Sequence, residues 1–214
     1  MMQPAEVTMT ETTHGAVRTG ADFYSEPSFS FRNRLARACW AAAYVALFRY
    51  SPLALYGFRA ALLRMFGARV GAGTRIYPSA RVWAPWNLRL GNKVVIGPRC
   101  NLYSMARTTI DAYAVVSQGA HLCAGSHDIN SPNFRLISAP IHIGAGCWIA
   151  AESFVGMGVR TAPGVVVGAR AVVMKDCPEP CKVWAGNPAR QIGTRQFQPA
   201  WSGATAAGPG TPRR

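Results

Sequence analysis

Acidic side chains are the scarcest feature of this 214-residue chain: 9 Asp and Glu stand against 23 Lys and Arg, and 20 of those are Arg. Between residues 27 and 110 there is no acid at all, although that stretch holds 13 basic residues. Such a half-chain attracts anionic partners: nucleic acid, acidic lipid or phosphorylated metabolites. The competing explanation is plain compositional bias toward Arg. Charge is sparse overall, at 15%, while half the chain is hydrophobic. That excludes a disordered protein, and the absence of a Gly-X-Y period excludes collagen. Also missing is any C-x-x-C pair among the six cysteines, Cys39, Cys100, Cys123, Cys147, Cys177 and Cys181. Cys177 and Cys181 have no second pair or nearby His to complete a zinc set, so no metal is expected. The cysteines read as free, small hydrophobes in a reducing cytoplasm. The polar opening residues, with Glu6, Glu11, Asp22 and Glu26, do not read as a secretory signal.

No apolar run reaches the ~20 residues of a bilayer span. The longest uncharged run near the start, Ala38 to Phe48, has 11 residues, and Arg49 and Pro52 follow it. Leu35, Trp40, Tyr44 and Leu47 recur at helical intervals; Leu55, Leu62, Leu63 and Phe66 suggest a second face. Residues 28–69 are therefore expected to form a short helical segment with basic edges. It would either lie peripherally on an anionic membrane, on the cytoplasmic face, or cap the following domain or pack between subunits. Composition predicts disordered tails at 1–27 and 197–214.

From Val70 onward the period is neither helical nor that of a hairpin sheet. Val70, Ile76, Val82 and Leu88 step by six, as do Leu90, Ile96 and Leu102, then Ile110, Val116 and Leu122. A break of about 13 residues follows His127, and the step resumes through Ile143, Ile149, Val155, Thr161, Val167 and Val173. A sustained period of six is a solenoid signal. Each unit supplies a short strand and a corner, with the aliphatic residue pointing inward. A Gly after it permits close backbone approach or a conformation costly for other residues. Three units make an 18-residue coil, one coil cannot bury its own core, and 70–177 allows about five.

Three sequence pieces carry a family resemblance. Gly125-Ser126-His127-Asp128 ends a coil before the break. Pro140-Ile141-His142-Ile143-Gly144 and Cys147-Trp148-Ile149 resume it. Val172-Val173-Met174-Lys175-Asp176-Cys177-Pro178 is followed by Ala185-Gly186-Asn187-Pro188-Ala189-Arg190. In order and spacing they resemble the hexapeptide-repeat acyltransferases over 28–190. The sugar O-acetyltransferases, and among them those of exopolysaccharide (colanic-acid-type) biosynthesis, are nearest. The resemblance implies an all-β fold, the left-handed parallel β-helix, over 70–196. It also implies acetyl-CoA as co-substrate, a saccharide acceptor (a small molecule or lipid-linked) and a homotrimer with clefts between subunits.

Acetyl transfer to a hydroxyl needs a base within hydrogen-bond reach and a donor for the oxyanion. Of His14, His121, His127 and His142, only His127 sits where the coil breaks, and its motif matches the family's general base. Asp128 either orients that imidazole or starts the excursion as a turn residue. His142 reads as a wall residue that could line the cleft. By resemblance, Lys175 and Arg190 contact coenzyme A, while Ala151 and Ala169 let its pantetheine lie against backbone. Trp148 matches a Trp near the active site. Arg99 and Ser104 stand where the maltose- and galactoside-type enzymes carry acceptor contacts of other chemistry, so a different acceptor pocket is expected. The excursion, with Asn130, Asn133 and Arg135, is expected to reach toward a neighbouring subunit. Three alternatives stay open: a serine or amino-sugar acceptor, a non-catalytic or γ-carbonic-anhydrase-like β-helix, and a nucleic-acid binder. The last has no recognised module behind it.

Overall fold

A computed structural model describes Tyr24 and residues 27–196; apart from Tyr24 and Pro27, both sequence-predicted tails lie outside the described residues. Two helices precede the solenoid. The first, α1 (Phe31–Ala43), is capped by the Ser30 hydroxyl, which accepts the Asn33 N–H at 3.3 Å, and it runs on as a π-helical turn, Tyr44–Phe48. The second, α2, spans Tyr56–Met65.

The buried side of these helices differs from the sequence expectation. Trp40 and Phe48 are buried with Tyr44 packed against them, whereas Leu35, Leu47 and Leu55 are exposed. For Leu47 the π turn supplies the reason: it adds a residue and rotates the run after Ala43. Arg59 also departs from its expected basic edge. It is fully buried in α2, and among the described residues no carboxylate pairs with it. Its Nε donates to the Ile76 carbonyl at 2.6 Å, and its terminal nitrogens to Ser51 Oγ and the carbonyls of Pro52 and Leu53 at 2.6–2.8 Å. One guanidinium thus ties the interhelical loop to the first coil.

The solenoid has three parallel walls. The first stacks Arg69–Val70, Leu88–Leu90, Thr108–Ile110, Ile141–Ile143 and Arg160–Thr161. The second stacks Arg75–Ile76, Val95–Ile96, Val115–Val116, Trp148–Ile149, Val166–Val167 and Lys182–Ala185. The third stacks Arg81–Val82, Asn101–Tyr103, His121–Cys123, Phe154–Val155 and Val172–Val173. All sixteen residues of the six-step series are buried. Thr161, the polar member, keeps its hydroxyl satisfied by accepting the Gly144 N–H at 3.0 Å. There are about six turns rather than five. The extra one is the partial coil of Lys182–Ala185, hidden in the sequence because Pro178 and Pro180 interrupt the aliphatic step.

The glycines after the aliphatic residues serve close approach: a Cβ on Gly91 would lie 2.4 Å from the Ala112 nitrogen. The left-handed corner lies three residues after the aliphatic position instead. Gly73, Gly119, Gly146, Gly158 and Gly164 occupy it, but so do Lys93, Arg99, Tyr113, Glu152 and Arg170. Cys100, Cys147 and Cys177 are buried as expected, while Cys39 is exposed.

Candidate active site

The break in the period is a β-hairpin, Gly125–His127 antiparallel to Leu136–Ser138, standing off the edge between the third and first walls. His127 pairs in register with Leu136. Its Nδ1 lies 2.8 Å from the Phe134 carbonyl, and its ring stacks on the Phe134 ring at 4.3 Å and 7°. A carbonyl can only accept, so this contact keeps the proton on Nδ1 and the basic lone pair on Nε2. Sequence reasoning missed Phe134. Half of its contribution comes from a backbone carbonyl, which no side-chain motif reports; φ at Phe134 is 45°, so the hairpin bends where that carbonyl is aimed.

Asp128 takes the turn role rather than the orienting one. Its carboxylate accepts the Asn130 N–H at 3.1 Å and pairs with Arg135 at 2.9 Å. Those contacts brace the hairpin from inside. Ser104, expected at the acceptor pocket, is fully buried. Its hydroxyl accepts the Ala84 N–H and donates to the Ala84 carbonyl, at 3.1 and 3.0 Å. Its O–H and one lone pair are thus spent on one backbone unit. Arg99 is exposed at a corner of the second coil, where its N–H meets Ser79 Oγ at 3.1 Å.

The wall expected to seat a long ligand is small along one edge. Gln118, Ala151, Ala169 and Gly186 occupy equivalent positions after the second wall, as the register Val116, Ile149, Val167, Trp184 requires. Trp148 projects from that wall, 46% exposed, with Nε1 donating to Ser117 Oγ at 2.8 Å. Arg190, exposed, pairs with Ala185 at the C-terminal end of the same wall. Lys175 is exposed too, but it follows the third wall and so lies at a different edge. His127 belongs to that different edge as well. Within one chain the imidazole and the small-residue edge face apart.

The other two described histidines are engaged elsewhere, and His14 lies outside the described residues. His142 pairs with Asp111 at 2.8 Å on the outside of the first wall. His121 packs between Tyr103 and Phe154 on the third, near Asn101, and burial lowers its pKa. Among the described residues no three His, Cys, Asp or Glu converge to hold a metal ion.

No family model matches the chain. It is 44% identical over 156 residues to "Putative colanic acid biosynthesis acetyltransferase WcaF" of Escherichia coli strain K12, a match covering 73% of this chain and 85% of that protein. "Putative acetyltransferase SACOL2570" of Staphylococcus aureus strain COL is 30% identical over 111 residues, 50% of this chain and 55% of its own. Among solved structures, a maltose O-acetyltransferase from Clostridium difficile 630 superposes with a TM-score of 0.71 at 22% identity, covering 78% of this chain and 90% of that one. A hexapeptide-repeat acetyltransferase from Vibrio cholerae O1 biovar eltor, complexed with acetyl coenzyme A, also gives 0.71 at 22% identity, covering 78% and 91%. The three-walled prism is the left-handed parallel β-helix.

Proposed function

Because the chain belongs to the hexapeptide-repeat acetyltransferases and is an acyltransferase, we propose that it moves acetyl from acetyl-CoA to a saccharide hydroxyl of an exopolysaccharide or its precursor. The observation that carries the mechanism is the Nδ1 contact between His127 and the Phe134 carbonyl. With that proton fixed, Nε2 takes the acceptor's hydroxyl proton while the hydroxyl oxygen attacks the thioester carbonyl carbon. The tetrahedral oxyanion collapses, the carbon–sulfur bond breaks, and the imidazolium returns its proton to the departing thiolate. No covalent enzyme intermediate is formed. The coenzyme lies along Ala151 and Ala169, where side chains are too short to hold it off the backbone, with Trp148 beside it and Arg190 meeting its phosphates, and Lys175, at the other edge, reaches them from the neighbouring copy.

The homotrimer follows from the same reading. His127 and the small-residue edge lie at different corners of one prism, and a second copy packed alongside unites them. The acceptor is read as lipid-linked, with α1 and α2 resting on an anionic membrane. Both helices turn apolar side chains outward at helical spacing, Phe31, Leu35 and Val45 on the first run and Phe58 and Met65 on the second. No helix among the described residues is long and apolar enough to cross a membrane, so the contact would be peripheral.

His127→Ala is expected to lower acetyl transfer by about 10²–10⁴-fold while coenzyme A binding, read by calorimetry, is unchanged. Full turnover in that variant would refute the mechanism.

A further inference from the structure

A hollow of about 490 Å³ opens near the helical end of the prism, lined by Arg49, Ser79, Arg81, Pro98, Arg99 and Asn101. Three of these six residues are arginines, and they come from three separate segments. Arg49 follows the π-helical turn, Arg81 stands on the third wall of the first coil, and Arg99 occupies a corner of the second coil. Each is anchored through its backbone. The Arg49 N–H bonds the Tyr44 carbonyl at 2.8 Å, Arg81 is in ladder register with Asn101, and Arg99, at φ 58°, is held by Ser79. Tyr44 and Tyr50 flank the Arg49 guanidinium and favour its charged form.

Among the described residues no carboxylate forms an ion pair with any of them. The four ion pairs of the described residues use Asp111, Asp128, Glu152 and Glu179, all beyond the acid-free stretch. Gathering three like charges is unfavourable without a counter-anion. The fork of a guanidinium matches phosphate oxygens two at a time. A site of three such forks in this volume suits a diphosphate better than a single carboxylate. It is also remote from the place read for the donor's phosphates: the hollow belongs to the first two coils, Ala151, Ala169 and Arg190 to the later ones.

We propose that the Arg49–Arg81–Arg99 hollow binds the diphosphate of a diphosphate-linked saccharide, the form in which the acceptor reaches the enzyme. The inference rests on the saccharide-acceptor reading for its biological use, but not for the binding itself. A nucleoside diphosphate sugar and a lipid-linked saccharide diphosphate share this chemistry. The first is tested free in solution, the second in vesicles.

Calorimetry on the full chain with inorganic pyrophosphate is expected to show binding that weakens at least tenfold in R81Q/R99Q and in R49Q, with unchanged melting temperatures. R69Q, which removes one positive charge from the first wall, should stay within twofold of wild type. Equal weakening in R69Q would reduce the site to diffuse charge and overturn the proposal, as would pyrophosphate affinity indifferent to R81Q/R99Q. In turnover, the diphosphate-linked saccharide should show a KM at least tenfold below that of the same free sugar, and R81Q/R99Q should erase the difference. A wild-type protein that acetylates free sugars yet gains nothing from the diphosphate sinks this inference alone. One that binds pyrophosphate through the three arginines yet acetylates no saccharide sinks the acceptor reading and leaves the site standing.

Discussion

The two halves of the prism share one core and carry opposite surfaces. In the first coil an Arg precedes each aliphatic residue: Arg69, Arg75 and Arg81 point outward from its three walls, each beside a buried Val or Ile, and Arg89 repeats the pattern once in the second coil. Arg89 sits between Arg69 and Arg107, and its pKa is lowered by burial first and then by those two neighbours. In the later coils some outward charges are matched. Arg170 meets Glu152 at 2.7 Å, and Lys182 meets Glu179 at 3.4 Å. The lesson is that the solenoid constrains only what points inward. The outward position of the same repeat is free to gather arginines at one end and to form ion pairs at the other.

Four substitutions would sharpen or break that contrast. The largest effect belongs to Arg59, the one cation of the first half turned inward. Arg59→Met strands the Ile76, Pro52 and Leu53 carbonyls, and with several charge-assisted bonds lost we expect at least about 3 kcal/mol of destabilisation by urea unfolding. A loss below 1 kcal/mol would mean that the helices do not depend on it. Next come the buried thiols. Burial pushes Cys147 up to about 11, and Cys100 and Cys177 up to about 12, from the ordinary 9.0. A folded-state pKa above the unfolded one means that the unfolded chain sheds its proton first. The stabilisation is complete below pH 9 and drains as pH climbs from about 9 toward 11 for Cys147. Cys147→Ala should flatten that alkaline limb by about 1.4 kcal/mol per pH unit; an unchanged slope would contradict the burial. The smallest effect has opposite signs in the two halves. Arg89→Gln relieves repulsion and should stabilise by about 0.5 kcal/mol, an advantage that fades in high salt. Arg170→Gln breaks an exposed pair and should cost a small, salt-sensitive amount of stability. Matching signs in denaturation curves would erase the distinction between the halves.

The core was legible because one physical demand repeats: every sixth side chain must be aliphatic, and Thr161 passes by finding a backbone donor. The corner rule was only half visible. Gly after the aliphatic residue reports tight stacking, whereas the left-handed position further on accepts Arg99 or Glu152 and leaves no uniform mark. The helical faces were misread where a π turn rotates the run and where Arg59 is drawn inward by carbonyls that have no side-chain signature. In the candidate site, His127 could be found by its motif. Ser104 could not be excluded, because a hydroxyl reads the same whether it faces solvent or closes on Ala84. Arg49, Arg81 and Arg99 stand far apart in the chain, and only folding gathers them.

The hairpin that carries His127 interrupts the chain but not the ladder. Ile141–Ile143 stacks directly on Thr108–Ile110, rung for rung, with the hairpin departing and returning between them. Residues can therefore be added to or removed from its tip without any coil losing its neighbour above or below. A lineage holding this architecture can trade one tip for another and so redraw what the imidazole meets, while the prism that holds the imidazole goes on folding by unchanged rules.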